Sequence, residues 1–363
     1  MGQEVPYQLS KLPPKREKVE TIAILRGANK AALAIAELKG IAQTIPNQKM
    51  LINAVVLQEA KDSSEIENII TSTDELYEAL SSNKLYTKSD IKEVVNYRTS
   101  ILIGYEILKK QGFIRVNDII KIQQGLIENN AGIRSTPGTV LKNDQTGEVV
   151  YTPPQDKAEI EELLTNFIEH FNEDQKELSP LINLAILHYQ FESIHPFYDG
   201  NGRTGRILNI LYLILNDLLE IPILYLSSYI IKHKGEYYKR LNAVNKNEEW
   251  EDWILYILKA VEVTSKQTIR QIKSIRELLK LTIKDVRKNA PKIYSKELVE
   301  NIFEQPYTKI EYITNKLGVE RKAASRYLKK LKEIGILESK KVGKEVIYIN
   351  KELITLLKQS HQV

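Results

Sequence analysis

The chain has 363 residues, of which 42% are hydrophobic and 27% charged, and this composition predicts a globular protein of about two to three domains. It has no cysteine, which excludes disulfides, thiolate zinc sites, iron–sulfur clusters and cysteine nucleophiles, and its net charge of +5 is too small to indicate nucleic-acid binding by the whole chain. No apolar run reaches the roughly 18 residues that span a bilayer and no secretory leader pattern is present, so we expect a cytoplasmic protein without membrane contact.

Residues 1–90 are predicted to form an N-terminal helical region. The first 20 residues hold three of the twelve prolines and are expected to run extended over the surface. From about Ala23 the apolar spacing becomes helical. The positions that form the predicted apolar stripe are Ile35, Leu38, Ile41, Leu51, Val55, Ile66, Ile69 and Ile70.

Residues 91–262 keep the helical period and are predicted to form the central domain. The predicted helices are 91–110, 117–127, 156–172, 180–193, 202–218, 235–245 and 249–260. Between them, 132–152 contains short β-prone runs around an Asn-Asp/Gly turn and predicts a β-hairpin set into the helical bundle. A charged stretch at about 262–289 is predicted to be helical, and Ala290-Pro291 marks the boundary after it. The helical linker between the two domains is accordingly predicted at 263–290.

Residues 291–363 resemble a winged helix-turn-helix domain. In chain order the pattern predicts two helices, a turn at Leu317-Gly318-Val319, a basic helix from about Glu320 to Ile334, and two strands around Val342-Gly343-Lys344. Between 295 and 350 there are 12 Lys or Arg and 8 Asp or Glu, so most of the chain's positive charge lies here. The candidate DNA-phosphate contacts are Arg321, Lys322, Arg326, Lys329, Lys340, Lys341 and Lys344. Dimerisation, docking of another protein and a merely solvated basic face are alternatives.

The central segment carries the chemistry. Helix 180–193 is predicted to deliver His195 to a tight turn at Gly200 and Gly202, where a second helix begins. Backbone N–H groups at a helix start attract anions, and glycines let phosphate oxygens approach the backbone. Arg203 and Arg206 lie three residues apart on one helix face and could hold two phosphates of one nucleotide. Asp199 could hold a magnesium ion, and His195 could accept a proton.

This segment resembles the signature of Fic proteins, His-Pro-Phe-x-Asp/Glu-Gly-Asn-Gly-Arg-x-x-Arg, which it matches from His195 to Arg206. The resemblance implies a mainly α Fic (Fido) bundle with a hairpin flap at 132–152. It also implies a protein adenylyltransferase, in which His195 is the catalytic base that deprotonates a Tyr, Thr or Ser hydroxyl of a target protein. The hydroxyl oxygen then attacks the α-phosphate of ATP and pyrophosphate leaves.

The same resemblance assigns roles residue by residue. Asp199 would ligate Mg²⁺, the Gly200-Asn201-Gly202 turn would cradle the α- and β-phosphates, and Arg203 and Arg206 would hold the β- and γ-phosphates. Family members contact adenine and ribose from a later helix, here through Tyr237, Tyr238 and Asn245. The predicted ATP-binding set is Glu67, His195, Gly200, Asn201, Gly202, Arg203, Thr204, Gly205, Arg206, Tyr237, Tyr238 and Asn245.

An upstream segment resembles the inhibitory Ser/Thr-x-x-x-Glu-Gly/Asn motif of Fic proteins, with Ser63, Glu67 and Asn68 in the matching places. The resemblance implies that Glu67 pairs with Arg206 and prevents productive binding of the γ-phosphate. The competing interpretation is a capping box, in which Glu67 only bonds the backbone at a helix start.

The sequence is also compatible with other activities, targets and partners. The flap can capture a target segment as an added strand, and the enzyme can modify itself. The same fold can transfer UMP, phosphocholine or phosphate, or remove AMP. A DNA-binding regulator that senses nucleotide is a rival of another class, and a metal hydrolase using His188 with Asp199 is a further alternative. The apolar helical surfaces and the winged helix make a homodimer plausible.

Overall fold

Helices make up most of the chain in the computed structural model, which describes residues 9–81, 88–142, 147, 149–173, 177–342 and 345–359. Within those residues, strands are few and short. The predicted mainly α architecture is therefore confirmed.

The N-terminal region contains four helices. They are α1 (Arg16–Val19), α2 (Ile22–Ala42), α3 (Gln48–Ile66) and α4 (Thr73–Ser81). Thr21 caps α2 by accepting a hydrogen bond from the N–H of Ile24, and Asn47 caps α3 by accepting one from the N–H of Lys49.

Two expectations for this region are wrong. The extended course predicted for 1–20 is interrupted by the single turn of α1, and the first eight of those residues lie outside the described part. The apolar stripe does not reach Ile70, because α3 ends at Ile66 and Ile70 is 71% exposed. The chain turns at Asn68, whose φ of 64° lies in the left-handed region that ends helices.

The central region follows the predicted pattern closely. Its elements are α5 (Ser89–Gln111), α6 (Val116–Ile127), β1 (Leu141–Lys142), β2 (Val149–Tyr151), α7 (Lys157–Asn172), α8 (Pro180–Ile194), α9 (Asn201–Leu215), α10 (Ser227–Lys232) and α11 (Lys234–Asn247). Strands β1 and β2 pair antiparallel, with Leu141 opposite Tyr151. The turn of this predicted hairpin, 143–146 and 148, lies outside the described residues.

Helices α8 and α9 form the centre of the fold. Every residue from Leu181 to Ile194 is buried, which is typical of a helix that is covered on all sides. Helix α8 packs against α9, α7 and α2. Residues projecting from the ends of these two helices are therefore held by a rigid core.

One continuous helix, α12 (Trp250–Asn289), replaces the two predicted segments 249–260 and 262–289. There is no break at 261, because α12 packs along α2 and keeps burying residues such as Ile269 and Ile272 on the same face. Its start is anchored to the core, where the indole N–H of Trp253 donates to the carbonyl of Ala185 at 2.8 Å.

The C-terminal domain (Lys296–Gln359) is built from helices and one small sheet. Its elements are α13 (Lys296–Glu304), β3 (Tyr307–Thr308), α14 (Ile310–Leu317), α15 (Arg321–Glu333), β4 (Glu338–Val342), β5 (Glu345–Ile349) and α16 (Lys351–Gln359). The antiparallel sheet has the order β3-β5-β4, and Gly318 ends α14 with a φ of 65°. Strand β3 and helix α16 were not predicted from the sequence, and the turn at Gly343-Lys344 lies outside the described residues.

None of the described helices is long and apolar enough to cross a lipid bilayer.

A matched pair of glycines tests the packing of the central helices. A methyl group on Gly104 of α5 would meet Leu211 Cδ1 at 2.7 Å and Ile122 Cδ1 at 3.1 Å, whereas one on Gly40 of α2 would meet nothing within 4 Å. We expect Gly104→Ala to lower the free energy of unfolding by about 1–3 kcal/mol through overpacking. We expect Gly40→Ala to raise it by about 0.5–1 kcal/mol, since alanine restricts the unfolded chain. Urea unfolding measures both, and equal changes would contradict this packing.

Candidate active site

His195 lies at the C-terminal end of α8, in the left-handed conformation with φ 49° and ψ 58°. Helix α8 ends here because Pro196 has no N–H to continue the hydrogen-bonding pattern. The N–H of His195 still donates to the carbonyl of Phe191 at 3.1 Å. The backbone thus fixes the imidazole at the junction between the two central helices.

Burial lowers the pKa of His195 to about 4, against the opposing effect of a hydrogen bond to the backbone of Glu192. The neighbouring Arg134 cation lowers it further. The imidazole is therefore neutral at physiological pH and able to accept a proton.

The turn after His195 is closed by its own side chains. The amide of Asn201 accepts from the N–H of Phe197 at 2.8 Å and donates to the carbonyl of the same residue at 2.7 Å. Gly200 has a φ of 80°, and a Cβ there would lie 2.8 Å from Ile127. Glycine is required at this position for both reasons. The first N–H groups of α9 follow directly after the turn, and the first N–H groups of a helix have no partner within the helix.

Close packing continues one turn into α9. A Cβ on Gly205 would collide with the carboxylate of Glu192, and Thr204 is completely buried. These two predicted ATP-binding residues therefore hold α9 against its neighbours.

Arg203 and Asp199 lie beside each other at the edge of the turn. The guanidinium of Arg203 donates to Glu93 of α5 at 2.8 Å and to Asp199 Oδ1 at 3.4 Å. The Asp199 side chain is 64% exposed, whereas that of Arg203 is 4% exposed. The accessible carboxylate fits one protein ligand of a hard cation that takes its other ligands from phosphates and water.

Arg206 reaches from α9 to the end of α3. Its guanidinium donates to Ser63 Oγ at 2.7 Å, to the Ser63 carbonyl at 3.0 Å and to Glu67 Oε1 at 2.7 Å. Burial alone would lower the pKa of Arg206, but the Glu67 carboxylate outweighs it and the pKa is raised. Arg206 is thus a cation with 2% side-chain exposure whose counter-charge comes from the N-terminal region.

The same carboxylate also lies against Gly202, which was predicted to bind phosphate. A Cβ on Gly202 would lie 2.6 Å from Glu67 Oε1, so the oxygen rests directly on the backbone of Gly202. The capping-box interpretation is wrong, because Glu67 follows the last residue of α3 and does not begin a helix. Asn68 supplies the positive φ of 64° that ends α3, which gives a physical reason for Gly or Asn at this place in the motif.

The predicted flap is tied to the motif at its base. Ile133 forms an antiparallel bridge with Phe197, and Arg134, fully buried, donates to the carbonyl of His195 at 2.8 Å. The hydroxyl of Tyr198 accepts hydrogen bonds from Ser135 and Thr136, which lowers the pKa of Tyr198 to about 7. The base of the flap and the turn after His195 are therefore one hydrogen-bonded unit.

The residues predicted to contact adenosine divide into two groups. Tyr237 and Asn245 are buried at 1% and 5% exposure, and they bond to α8 through His188 Nε2 at 3.0 Å and Tyr189 Oη at 2.6 Å. They support α8 in this structure, and their contact with adenosine stays a prediction. Tyr238 is 41% exposed beside them.

His188 is a core residue. It stacks on Trp253 with ring centroids 5.8 Å apart, and burial lowers its pKa to about 3. Within the described residues, no group of three or more His, Asp or Glu is arranged to hold a metal ion. The metal-hydrolase interpretation therefore has no geometric support.

Four residues of the site were missed by sequence reasoning: Glu93, Arg134, Glu192 and Tyr198. Tyr198 stands at a variable position of the motif, and the other three carry no local signal. Glu192 is a buried carboxyl whose pKa burial raises to about 7, next to Arg206. Only the folded chain brings these groups together.

Three family models match the chain in order. The Fic/DOC family N-terminal model matches 25–106, the Fic/DOC family model matches 113–213, and the model of the C-terminal domain of SoFic-like protein adenylyltransferases matches 278–353. The chain belongs to the Fic/DOC family. The middle match contains the whole motif from His195 to Arg206, and the first contains Ser63, Glu67 and Asn68.

Curated relatives are similar to this Fic-family chain over less than half of its length. Protein adenylyltransferase Fic of Aedes aegypti is 29% identical over 150 residues, 40% of this chain and 28% of the relative. Protein adenylyltransferase fic-1 of Caenorhabditis briggsae is 24% identical over 167 residues, 46% of this chain and 31% of the relative. The matches thus span about 30% of the length of these relatives.

Solved structures support the fold. A Fic family protein from Desulfovibrio desulfuricans superposes with a TM-score of 0.58 at 17% identity, covering 95% of this chain and 98% of its own. Residues 134–508 of Caenorhabditis elegans Fic-1 superpose with a TM-score of 0.53 at 21% identity, covering 68% and 73%. At these identities the likeness concerns the fold alone.

The ion pair between Glu67 and Arg206 makes a pH-dependent contribution to stability. Burial alone would raise the pKa of Glu67, but Arg206 outweighs it and the pKa lies below the ordinary 4.5. A lowered carboxyl pKa stabilises the fold above the ordinary value, and this stabilisation is lost as the pH falls through the lowered folded value. We expect Glu67→Gln to lower the free energy of unfolding at neutral pH by about 1–3 kcal/mol, with a difference from wild type that shrinks below pH 4.5.

Chemical denaturation over a pH series measures this difference. Glu65→Gln is the matched control, because Glu65 pairs with Lys61 at 3.0 Å on a partly exposed surface and should change stability by less than about 1 kcal/mol. A difference for Glu67→Gln that stays constant into the acid range would contradict the ion pair.

Proposed function

We propose that this Fic-family protein is a protein adenylyltransferase, which transfers AMP from ATP to a Tyr, Thr or Ser hydroxyl of a target protein. The observation that carries the proposal is the position of the His195 imidazole, at the turn that leads into a helix bearing two buried arginines. The relatives named protein adenylyltransferases support the same activity.

The reaction needs few groups. The first N–H groups of α9 and the guanidinium groups of Arg203 and Arg206 bind the triphosphate and stabilise the charge that develops on it. His195 takes the proton of the target hydroxyl, and the oxygen forms a bond to the α-phosphorus. The bond from that phosphorus to the oxygen bridging the α- and β-phosphates breaks, and pyrophosphate leaves.

Magnesium fits this site as a proposal. Asp199 would hold the ion together with phosphate oxygens, since its carboxylate is exposed next to the turn. When bound, the ion supplies charge neutralisation on the phosphates. The protein's own part is to position the substrate and accept the proton.

The contacts of Glu67 support an inhibited state. Its carboxylate satisfies Arg206 and rests on Gly202, so a γ-phosphate would have to displace it from both. We therefore propose that Glu67, with Ser63 and Asn68, restrains the enzyme by competing with ATP for Arg206.

The flap supports a protein target. Tyr151 of β2 donates to the carbonyl of Ser193 at 2.9 Å, just before the motif, and the base of the flap is bonded to Phe197 and Tyr198. An extended target segment that adds to this hairpin would bring its hydroxyl to His195 without a particular sequence. Transfer of UMP, phosphocholine or phosphate, and removal of AMP, are the alternatives that the test separates.

The test removes the Glu67 side chain. With ATP and magnesium, Glu67→Gly should modify itself or a target at least about tenfold faster than wild type, because Arg206 becomes available to the γ-phosphate. Intact-mass spectrometry should show an adduct of about 329 Da, one AMP residue. The matched control Glu65→Gly removes a carboxylate that bonds Lys61 rather than Arg206, and its rate should equal that of wild type.

The added substitution His195→Ala in the Glu67→Gly variant should abolish the adduct. An adduct of another mass would identify a different transferred group. Equal rates for wild type and Glu67→Gly would overturn the inhibition, and an adduct that persists without His195 would overturn its role as base.

A second candidate function is binding of duplex DNA by α15. A cleft of about 1250 Å³ lies between this helix and the end of α12. Its cations are Lys292, Arg321, Lys322, Arg326, Lys329 and Lys330. Among the described residues, Arg326 and Lys329 form no ion pair, which leaves their charges for phosphates.

The predicted DNA contacts of Lys340, Lys341 and Lys344, on β4 and directly before β5, have less support than those of α15. Lys340 is paired with Glu78 of α4 at 2.6 Å, and Lys344 lies outside the described residues. We therefore assign the phosphate contacts to α15 rather than to β4 and β5.

Fluorescence anisotropy with a labelled mixed-sequence duplex tests the candidate. Affinity should fall steeply with salt, and Arg326→Ala or Lys329→Ala should each reduce the slope of log affinity against log salt by about 0.9. Lys351→Ala is the control, since Lys351 of α16 pairs with Glu338 of β4 and does not line the cleft beside α15. Absence of binding at low salt would remove DNA as a partner.

A further inference from the structure

The segment that carries the inhibitory residues is held between two helices. Helix α3 ends at Ile66 and α4 begins at Thr73, so Glu67 lies on the short connector between them. The start of α4 is fixed by Ser72, whose hydroxyl donates to Glu75 at 2.8 Å. A shift of α4 would therefore move the connector, because only a few residues separate Glu67 from the start of α4.

The C-terminal domain packs against α4 through a buried stack of two tyrosines. The rings of Tyr77 and Tyr307 lie 5.6 Å apart with 7° between their planes, and the residues are 6% and 7% exposed. The hydroxyl of Tyr307 donates to Asp74 Oδ1 at 3.0 Å, and Lys358 of α16 donates to Asp74 Oδ2 at 2.6 Å. Strand β3 and helix α16 thus meet on one acidic residue of α4.

Further contacts lie along the same helix. Lys340 of β4 donates to Glu78 at 2.6 Å, and the hydroxyl of Tyr312 donates to the carbonyl of Leu80 at 3.4 Å. Together the contacts follow α4 from its first turn to its last.

The start of α3 is held by the same domain. The side chains of Asn47 and Asn53 both donate to Glu304 at the end of α13, at 2.9 Å each. The C-terminal domain therefore touches both helices that flank the connector.

Helix α4 needs this support. It has nine residues, fewer than an isolated helix needs to be stable in water. Within the described residues it packs chiefly on α5 and β3. The tyrosine stack contributes buried aromatic area, while each exposed ion pair contributes at most about 1 kcal/mol.

We propose that the C-terminal domain is a clamp that keeps the enzyme inhibited: by holding α4 and the start of α3, it keeps the Glu67 carboxylate on Arg206 and Gly202. This inference rests on the proposed function, because it concerns the regulation of the same site. When the clamp opens, α4 loses one of its two supports and the connector can move. Arg206 then becomes available to the γ-phosphate of ATP.

The experiment weakens the clamp at its exposed ion pairs, far from the catalytic motif. The double variant Lys340→Glu and Lys358→Glu places like charges opposite Glu78 and Asp74. Lys351→Glu is the matched control, because its pair with Glu338 lies within the C-terminal domain. A charge swap that combines Lys340→Glu with Glu78→Lys restores one pair in the opposite sense.

The first readout is hydrogen exchange, which needs no activity. The N–H groups of Glu67, Asn68 and Ile69 donate to carbonyls at the end of α3. In the double variant these amides should exchange roughly 3- to 10-fold faster than in wild type, whereas the control should match wild type. Unchanged exchange in the double variant would overturn the clamp.

The second readout is the transfer rate. It should rise roughly 3- to 10-fold in the double variant, and the same two substitutions should have no effect in the Glu67→Gly background, where nothing is left to restrain. Lys340→Glu alone should raise the rate and the charge swap should lower it again.

The outcomes distinguish the clamp from the proposed function. An active Glu67→Gly variant together with a double variant as slow as wild type would overturn the clamp. A further rise of the rate in the Glu67→Gly background would also overturn it, since the domain would then act elsewhere. If Glu67→Gly shows no transfer, the proposed function fails and the exchange rates alone decide whether the domain holds the connector.

Discussion

The structure depends on how the buried guanidinium of Arg206 is neutralised. A cation with 2% side-chain exposure needs a counter-charge and hydrogen-bond acceptors, and α3 supplies both through Glu67 and Ser63. The guanidinium also lies close to Gly202 at the start of α9. Under the proposed function, a phosphate of ATP would replace the carboxylate, so one electrostatic requirement would have two solutions and only one of them would allow transfer.

This requirement links parts of the chain that are distant in sequence. Both motif arginines pair with carboxylates that precede them by more than a hundred residues: Arg206 with Glu67, directly after α3, and Arg203 with Glu93 of α5. Helices α8 and α9 provide a rigid support for His195, and the C-terminal domain holds the helices on both sides of Glu67. His195 and the motif arginines are thus fixed by the core, whereas Glu67 lies on a connector whose two neighbouring helices are contacted by the C-terminal domain.

The sequence predicted the parts of the site that are contiguous. His195, the glycine turn and both arginines lie within twelve residues, where backbone geometry and chemistry are readable together. Pairing of Glu67 with Arg206 was predicted only from family resemblance, because no local pattern reports a contact across 139 positions. Glu93 and Arg134 could not be predicted, since each reaches the site by tertiary packing. Glu192 lies on α8 just before His195, but its closeness to Gly205 and Arg206 follows only from the packing of α8 on α9. The predicted helix boundary between 260 and 262 was wrong for a related reason. Helix α12 continues past residue 261 because the neighbouring helix α2 covers the same face on both sides of it.

We propose that Glu67 and the γ-phosphate of ATP compete for Arg206. Measuring the affinities for ATP and ADP by calorimetry tests this competition most directly. The measurement compares His195→Ala with the double variant His195→Ala and Glu67→Gly, so that no turnover occurs. Removing Glu67 should strengthen ATP binding by at least about tenfold more than ADP binding, because ADP has no γ-phosphate to take the place of the carboxylate. An equal gain for both nucleotides, or no gain for ATP, would contradict the account.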